Sequence, residues 1–163
     1  MRIHILLILS ICIVVLMLGS TKGFAQKAAL PFSINQRPQP SGSNLETLIP
    51  RIVGSFRRDA ISGNTDPFSG EDVNVEYKSE KDIVFFGFGI TQTFEDASEA
   101  VKLTREEAIN SKINIKGQQY QTGKNPSYFK IAGFMSWTRG KYFFYAKARN
   151  EQVLKNFMEA FPF

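Results

Sequence analysis

The chain has 163 residues and a formal net charge of +5, the size of one ordinary domain with a short leader or tail. Its one cysteine is Cys12 and its one histidine is His4. A chain that loses its first residues therefore loses disulfides, Cys or His metal sites, thiol nucleophiles and every imidazole-based triad. The positive charge is too mild to call for nucleic acid.

The first residues read as a targeting segment. Ile5–Leu18 is apolar except for Ser10 and Cys12, and Gly23-Phe24-Ala25 places small residues at the −3 and −1 positions of a cut after Ala25. That is the pattern of a secretory signal peptide. The apolar run is about 14 residues, against roughly 20 for a bilayer span. A cleaved signal over 1–25 is expected, with an uncleaved N-terminal anchor as the alternative. No Leu-rich tetrapeptide ending in Cys lies near the cut, which argues against a lipoprotein. Cleavage removes Arg2 and Lys22, so the mature charge is lower still. Residues 26–43 contain Pro31, Pro38, Pro40 and Ser41-Gly42-Ser43 with no apolar period, and read as an exposed, partly extended spacer.

A single domain is expected over 44–163. Asn44 suits the cap of one helical turn that ends at Pro50, and Phe56–Ile61 a short strand. Ser62–Asp72 reads as a loop. Val73, Val75 and Tyr77 alternate with polar residues as in a half-buried strand. Ile83–Thr91 is the most apolar strand, with Val84, Phe86, Phe88 and Ile90 on one face and Gly87 and Gly89 on the other, where a small-residue helix has room to approach. Thr93 and Asp96 have the spacing of a capping box before an Ala-rich helix that runs to about Ser111. Lys112–Asn125 reads mostly as loop. Asn150 suits the cap of a last helix whose stripe is Val153, Leu154, Phe157, Met158 and Phe161.

Between those helices, Tyr128–Trp137 and Lys141–Ala148 read as two strands of a hairpin. With Arg139-Gly140 as its loop, Trp137 faces Tyr142 and Met135 faces Phe144. Phe129, Ile131, Met135 and Trp137 then share an apolar face with Tyr142, Phe144, Ala146 and Ala148. The other face is mixed, with Lys130, Lys141, Tyr145 and Lys147 beside Phe134 and Phe143. These elements predict an α+β fold: an antiparallel sheet of about four or five strands with two helices packed on one face.

The opening Leu48-Ile49-Pro50-Arg51-Ile52-Val53-Gly54-Ser55-Phe56-Arg57-Arg58, a hairpin at Tyr77 and the closing Trp137-Thr138-Arg139-Gly140 before a C-terminal helix resemble a group of small exported bacterial proteins of unknown function. The resemblance covers about Leu45 to Phe163. It implies an exported single domain without known catalysis, and carries over no functional residue.

Candidate chemistry is thin. Ser127-Tyr128-Phe129-Lys130 matches the Ser-x-x-Lys pattern of penicillin-binding proteins, but it opens a strand rather than a helix, follows Ser62-Gly63-Asn64 instead of preceding such a motif, and lacks the Lys-Thr-Gly order at Thr122-Gly123-Lys124. Gly87-Phe88-Gly89 lies inside a strand, not at the strand–helix turn of a dinucleotide site. Asn64, Asp66, Glu71 and Asp72 offer oxygen ligands for calcium, yet Phe68 stands where an EF-hand loop needs a ligand. Glu106 and Glu107 diverge by about 100° on a helix. No cofactor or metal is expected.

Two binding readings remain. In the first, an exposed sheet face carrying Phe134, Lys141, Phe143, Tyr145 and Lys147 docks on an envelope protein or an anionic envelope surface. In the second, a cleft lined by Phe88, Trp137 and Phe144 carries a small hydrophobic or lipid-like ligand. The expectation is an exported, non-catalytic interaction module of the cell envelope. The carrier and a His-independent enzyme are the alternatives.

Overall fold

The structure, a computed structural model, describes residues 30–63 and 73–163. The segment read as a signal or anchor (1–25) and the calcium candidates Asn64, Asp66, Glu71 and Asp72 lie outside the described residues. No helix among the described residues is long and apolar enough to cross a membrane.

A 3₁₀ turn at Pro31–Gln36 comes first, then α1 (Leu45–Leu48), β1 (Ile52–Val53), β2 (Phe56–Gly63), β3 (Val73–Lys78) and β4 (Ile83–Ile90). After α2 (Phe94–Asn110) come β5 (Gln119–Gln121), β6 (Tyr128–Ile131), β7 (Phe134–Arg139), β8 (Tyr142–Ala148) and α3 (Glu151–Ala160). The strands form one antiparallel sheet in the order β1-β2-β3-β4-β8-β7-β6-β5. It is built from two four-stranded meanders joined in the middle, where β4 pairs with β8.

This corrects the expected sheet of four or five strands with two helices on one face. Among the described residues the sheet has eight strands, and α2 and α3 lie on opposite sides of it. Register separates the faces. Phe88, Phe144 and Trp137 are in line on one side, and Gly89, Phe143 and Thr138 on the other. Val153, Leu154, Phe157 and Met158 of α3 join the first set in the main core. Ala97, Val101 and Ala108 of α2 join Phe129, Ile131 and Phe143 in a second core. We call these the inner and outer faces.

Two local signals explain the difference. Tyr128–Trp137 is two strands rather than one. Gly133 takes a φ of 73° and closes a two-residue turn at Ala132-Gly133, with Ile131 opposite Phe134. The turn puts Phe129 and Ile131 on the outer face, away from Met135 and Trp137. The β7–β8 loop is Gly140-Lys141, because the closing pair is Arg139 with Tyr142. That choice gives the positive φ of 58° to Gly140 and spares Arg139, as in hairpins with Gly first in the loop. Trp137 therefore faces Phe144, two residues from the expected pairing. Within the stretch expected to be loop, Gln119–Gln121 forms the edge strand β5.

Both long helices start as their sequences predict. Thr93 accepts from Asp96 N at 3.1 Å while the Asp96 carboxylate accepts from Thr93 N at 3.1 Å, a reciprocal capping box. Asn150 Oδ1 accepts from Val153 N at 3.0 Å. The stripe Val153, Leu154, Phe157, Met158 and Phe161 is buried.

Residues 30–43 are not an exposed spacer. Pro31, Ile34 and Pro40 are buried, and Ile34 sits in the main core. Arg37 donates to Phe161 O and to Phe32 O, each at 2.8 Å, which satisfies a carbonyl at the end of α3. Arg139 donates to Arg37 O, and the Tyr142 hydroxyl donates to Gly42 O at 2.8 Å. The segment is a strap across the edge of the inner core. Burial, and then the neighbouring Arg139 guanidinium, hold the Arg37 pKa below its ordinary value.

Candidate functional site: the uncovered half of the outer face

Among the described residues, the chain path leaves one part of the sheet bare. From β4 the chain must reach β5, with β8, β7 and β6 in between, roughly 19 Å at about 4.8 Å per strand. α2 has 17 residues and rises about 25 Å, so it bridges that gap over β6, β7 and β8. At its far end Arg105 lies 4.7 Å from the centre of the Tyr120 ring in β5. Among the described residues, no helix packs on the outer face of β2, β3 and β4.

One row of side chains crosses from the bare half to the covered half. Glu76 stands opposite Phe85, Phe85 opposite Lys147, Lys147 opposite Phe134 and Phe134 opposite Ile131. Phe85 is 52% exposed and its outer-face neighbour Ile83 is 42% exposed. Mid-sheet apolar side chains left this open are informative in a way that scattered surface leucines are not.

Two half-open concavities flank Lys147. One, of about 340 Å³, lies between the end of α2 and the β6–β7 turn, with Ala108, Ile113, Ile131, Phe134, Glu107 and Lys147 among its walls. The other, of about 320 Å³, is formed by Lys81, Asp82, Ile83, Phe85, Lys147 and Arg149 with Ala148. Most charges near the second are paired. Lys78 holds Asp59 at 2.6 Å and Glu76 at 2.8 Å, and these hydrogen bonds, Asp59 first, raise its pKa. Asp82 lies 2.7 Å from Arg149 Nε, a charge contact without hydrogen-bond alignment. Among the described residues, neither Lys81 nor Lys147 has an ion-pair or hydrogen-bond partner.

The structure divides the residues expected to bind a partner. Phe134 and Lys147 belong to this site. Tyr145 lies beside it, its ring folded over Gly87 and its hydroxyl donating to Asn74 Oδ1. Phe143 is 6% exposed in the second core beneath α2 and presents no surface. Lys141 is in the hairpin loop at the other end of β8, about 20 Å from Lys147 along the strand, where its carbonyl accepts from Thr91 N at 3.0 Å. Phe88, Trp137 and Phe144 line neither concavity. All three are fully buried, with Trp137 and Phe144 stacked at 5.4 Å and Phe161 edge-on to Trp137 at 5.9 Å. The residues missed by sequence reasoning are Ile83 and Phe85. Their signal was present: they are the large apolar residues out of phase with Val84, Phe86 and Phe88 on a strand read for one face only.

Gly87 proves to admit a tyrosine ring, not a helix. A Cβ there would lie 2.2 Å from Tyr145 Cζ. Gly87→Ala is expected to expel the ring, break its bond to Asn74 and destabilise the protein by about 1–3 kcal/mol. In urea unfolding, Gly87→Ala should cost little in a Tyr145→Ala background, where the ring is already gone. Strictly additive losses in the double-mutant cycle would contradict the packing.

Ser127 and Lys130 are not a catalytic pair. Their spacing of three puts them on opposite faces of β6 and its lead-in. Ser127 is buried with its hydroxyl 2.7 Å from that of Ser98 in α2, whereas Lys130 pairs with Glu151 of α3 at 2.5 Å. No group of three His, Cys, Asp or Glu residues positioned for a metal occurs among the described residues.

No family model matches this chain, and no curated protein or solved structure is similar enough to it to match.

Proposed function

We propose that this protein is an exported, non-catalytic interaction module of the cell envelope that docks a protein partner on the uncovered outer face of β3, β4 and β8. The supporting observation is the exposure of Phe85 and Ile83, 52% and 42%, beside Lys147 on the half of the sheet that α2 leaves bare. Burial of such side chains against a partner is favourable by roughly 25 cal/mol per Å² of apolar area, and anchors of this kind dominate interfaces. Export rests on the N-terminal pattern of Ile5–Leu18 and Gly23-Phe24-Ala25.

The test is native mass spectrometry of the protein recovered from its own envelope, with Phe85→Ser as the variant. The expected result is a chain that begins at Gln26 in stoichiometric complex with another protein, and loss of that complex in Phe85→Ser. Phe85 is on the surface, so its replacement should change stability by no more than about 0.5 kcal/mol. A monomer with an adduct of small-molecule mass that survives Phe85→Ser would overturn the proposal in favour of a carrier.

A further inference from the structure

The site constrains what its partner must carry. Lys147 is centred between Phe85 and Phe134 on the neighbouring strands, and forms a wall of both concavities. Phe85 and Phe134, which each wall one hollow, are therefore two strand spacings apart, about 10 Å. Each has apolar walls: Ile131, Phe134 and Ile113 in one, Ile83 and Phe85 in the other. The ridge between them ends in an ammonium that has no partner among the described residues. Lys81 and Arg149 add positive charge on one side, and Asp82 takes up only Arg149.

We propose that the docked element is a segment of a protein that presents two apolar side chains about 10 Å apart, one for each hollow, with a carboxylate between them to pair with Lys147. This rests on the interaction reading above. A bilayer is the poorer occupant. Recruitment to anionic lipid takes clusters of four or more cations, whereas Glu76, Asp82 and Glu107 interrupt Lys81, Lys147 and Arg149 around this site. A flat headgroup surface also leaves the hollows empty. On a helix the required pattern is apolar at i and i+7, about 10.5 Å apart, with an acid at i+3 or i+4.

The test uses the full chain and fluorescent, helix-stapled synthetic peptides with Leu at i and i+7 and either Asp or Lys at i+4. Binding is read by anisotropy, and vesicles of anionic phospholipid serve as the lipid arm. The Asp peptide is expected to bind with a Kd below about 1 mM. Lys147→Glu should weaken it by about tenfold or more and strengthen the Lys peptide by a similar factor. Such a swap of preference does not arise from misfolding. Equal binding of both peptides, binding of the Asp peptide that is indifferent to Lys147→Glu, or binding of vesicles alone would overturn the proposal. If an envelope partner is lost in Phe85→Ser but retained in Lys147→Glu, the interaction reading stands and this assignment of the partner's chemistry falls.

Discussion

Phe86→Ala is expected to lower the stability of this protein by about 3–5 kcal/mol, and its thermal midpoint by on the order of 15 °C. Phe86 is 1% exposed at the centre of the inner core. Its ring lies 4.8 Å from Phe161, 6.0 Å from Tyr77, Phe144 and Phe157, and 6.3 Å from Trp137. These neighbours come from β3, β7, β8, α3 and the residue that follows α3. Truncation opens a cavity that no single element can close by shifting, so the loss should fall at the upper end for a phenylalanine. Each well-placed aromatic pair also contributes beyond its buried area. The only tryptophan, Trp137, reports on the same cluster, so its emission should shift to the red well below the wild-type melting range. A thermal shift of only a few degrees would mean that the sheet and α3 are not packed through Phe86.

Ile34→Ala is the second large effect, expected to cost about 2–5 kcal/mol. In an exposed spacer the same change would cost almost nothing. Ile34 is fully buried in the main core, and the strap is tied down beyond it, by Arg37 to Phe161 O and by the Tyr142 hydroxyl to Gly42 O. The backbone itself argues that packing holds the strap in place. Phe32 and Ser33 take φ values of 56° and 52°, a region that costs non-glycine residues about 1–2 kcal/mol each. Urea unfolding of Ile34→Ala beside Gln36→Ala, an exposed neighbour, separates the outcomes. Equal midpoints would contradict the strap.

The contrast between these two sites shows where the sequence was informative. Phe86 was readable because β4 alternates cleanly and every second residue from Val84 to Ile90 is large and apolar. The stripe of α3 and the caps at Thr93 and Asn150 were readable for the same reason: their spacing has one meaning. Ile34 was not, because a strap has no period and its prolines resemble those of a linker. The turn at Ala132-Gly133 was hidden inside a run that is apolar on both sides. Apolar residues on both faces were the clue to a second core, yet Phe134 and Phe143 looked like exceptions to a half-solvated sheet. The Ala-rich face of α2 packs closely on either face of a sheet, so its composition did not choose between them. The connection from β4 to the far edge strand β5 does choose, and β5 was missed because Gln119–Gln121 is polar.

The candidate site was half visible. Lys147 and Phe134 were named from alternation alone, since both are out of phase with the inner core. Phe143 and Tyr145 share that phase and were drawn in with them, but the chain path covers Phe143 with α2 and lays Tyr145 over Gly87. Exposure on the outer face is thus set by topology, which alternation within one strand does not encode.

Photo-crosslinking in the protein's own cells tests the central claim most directly. Benzoylphenylalanine is placed at position 85 on the bare outer face, or at position 155 on the exposed side of α3, across the sheet. The account predicts one discrete adduct with another protein from position 85 and none from position 155. Adducts from position 155 alone, or the same adducts from both, would show that the uncovered half of the outer face is not where this protein binds.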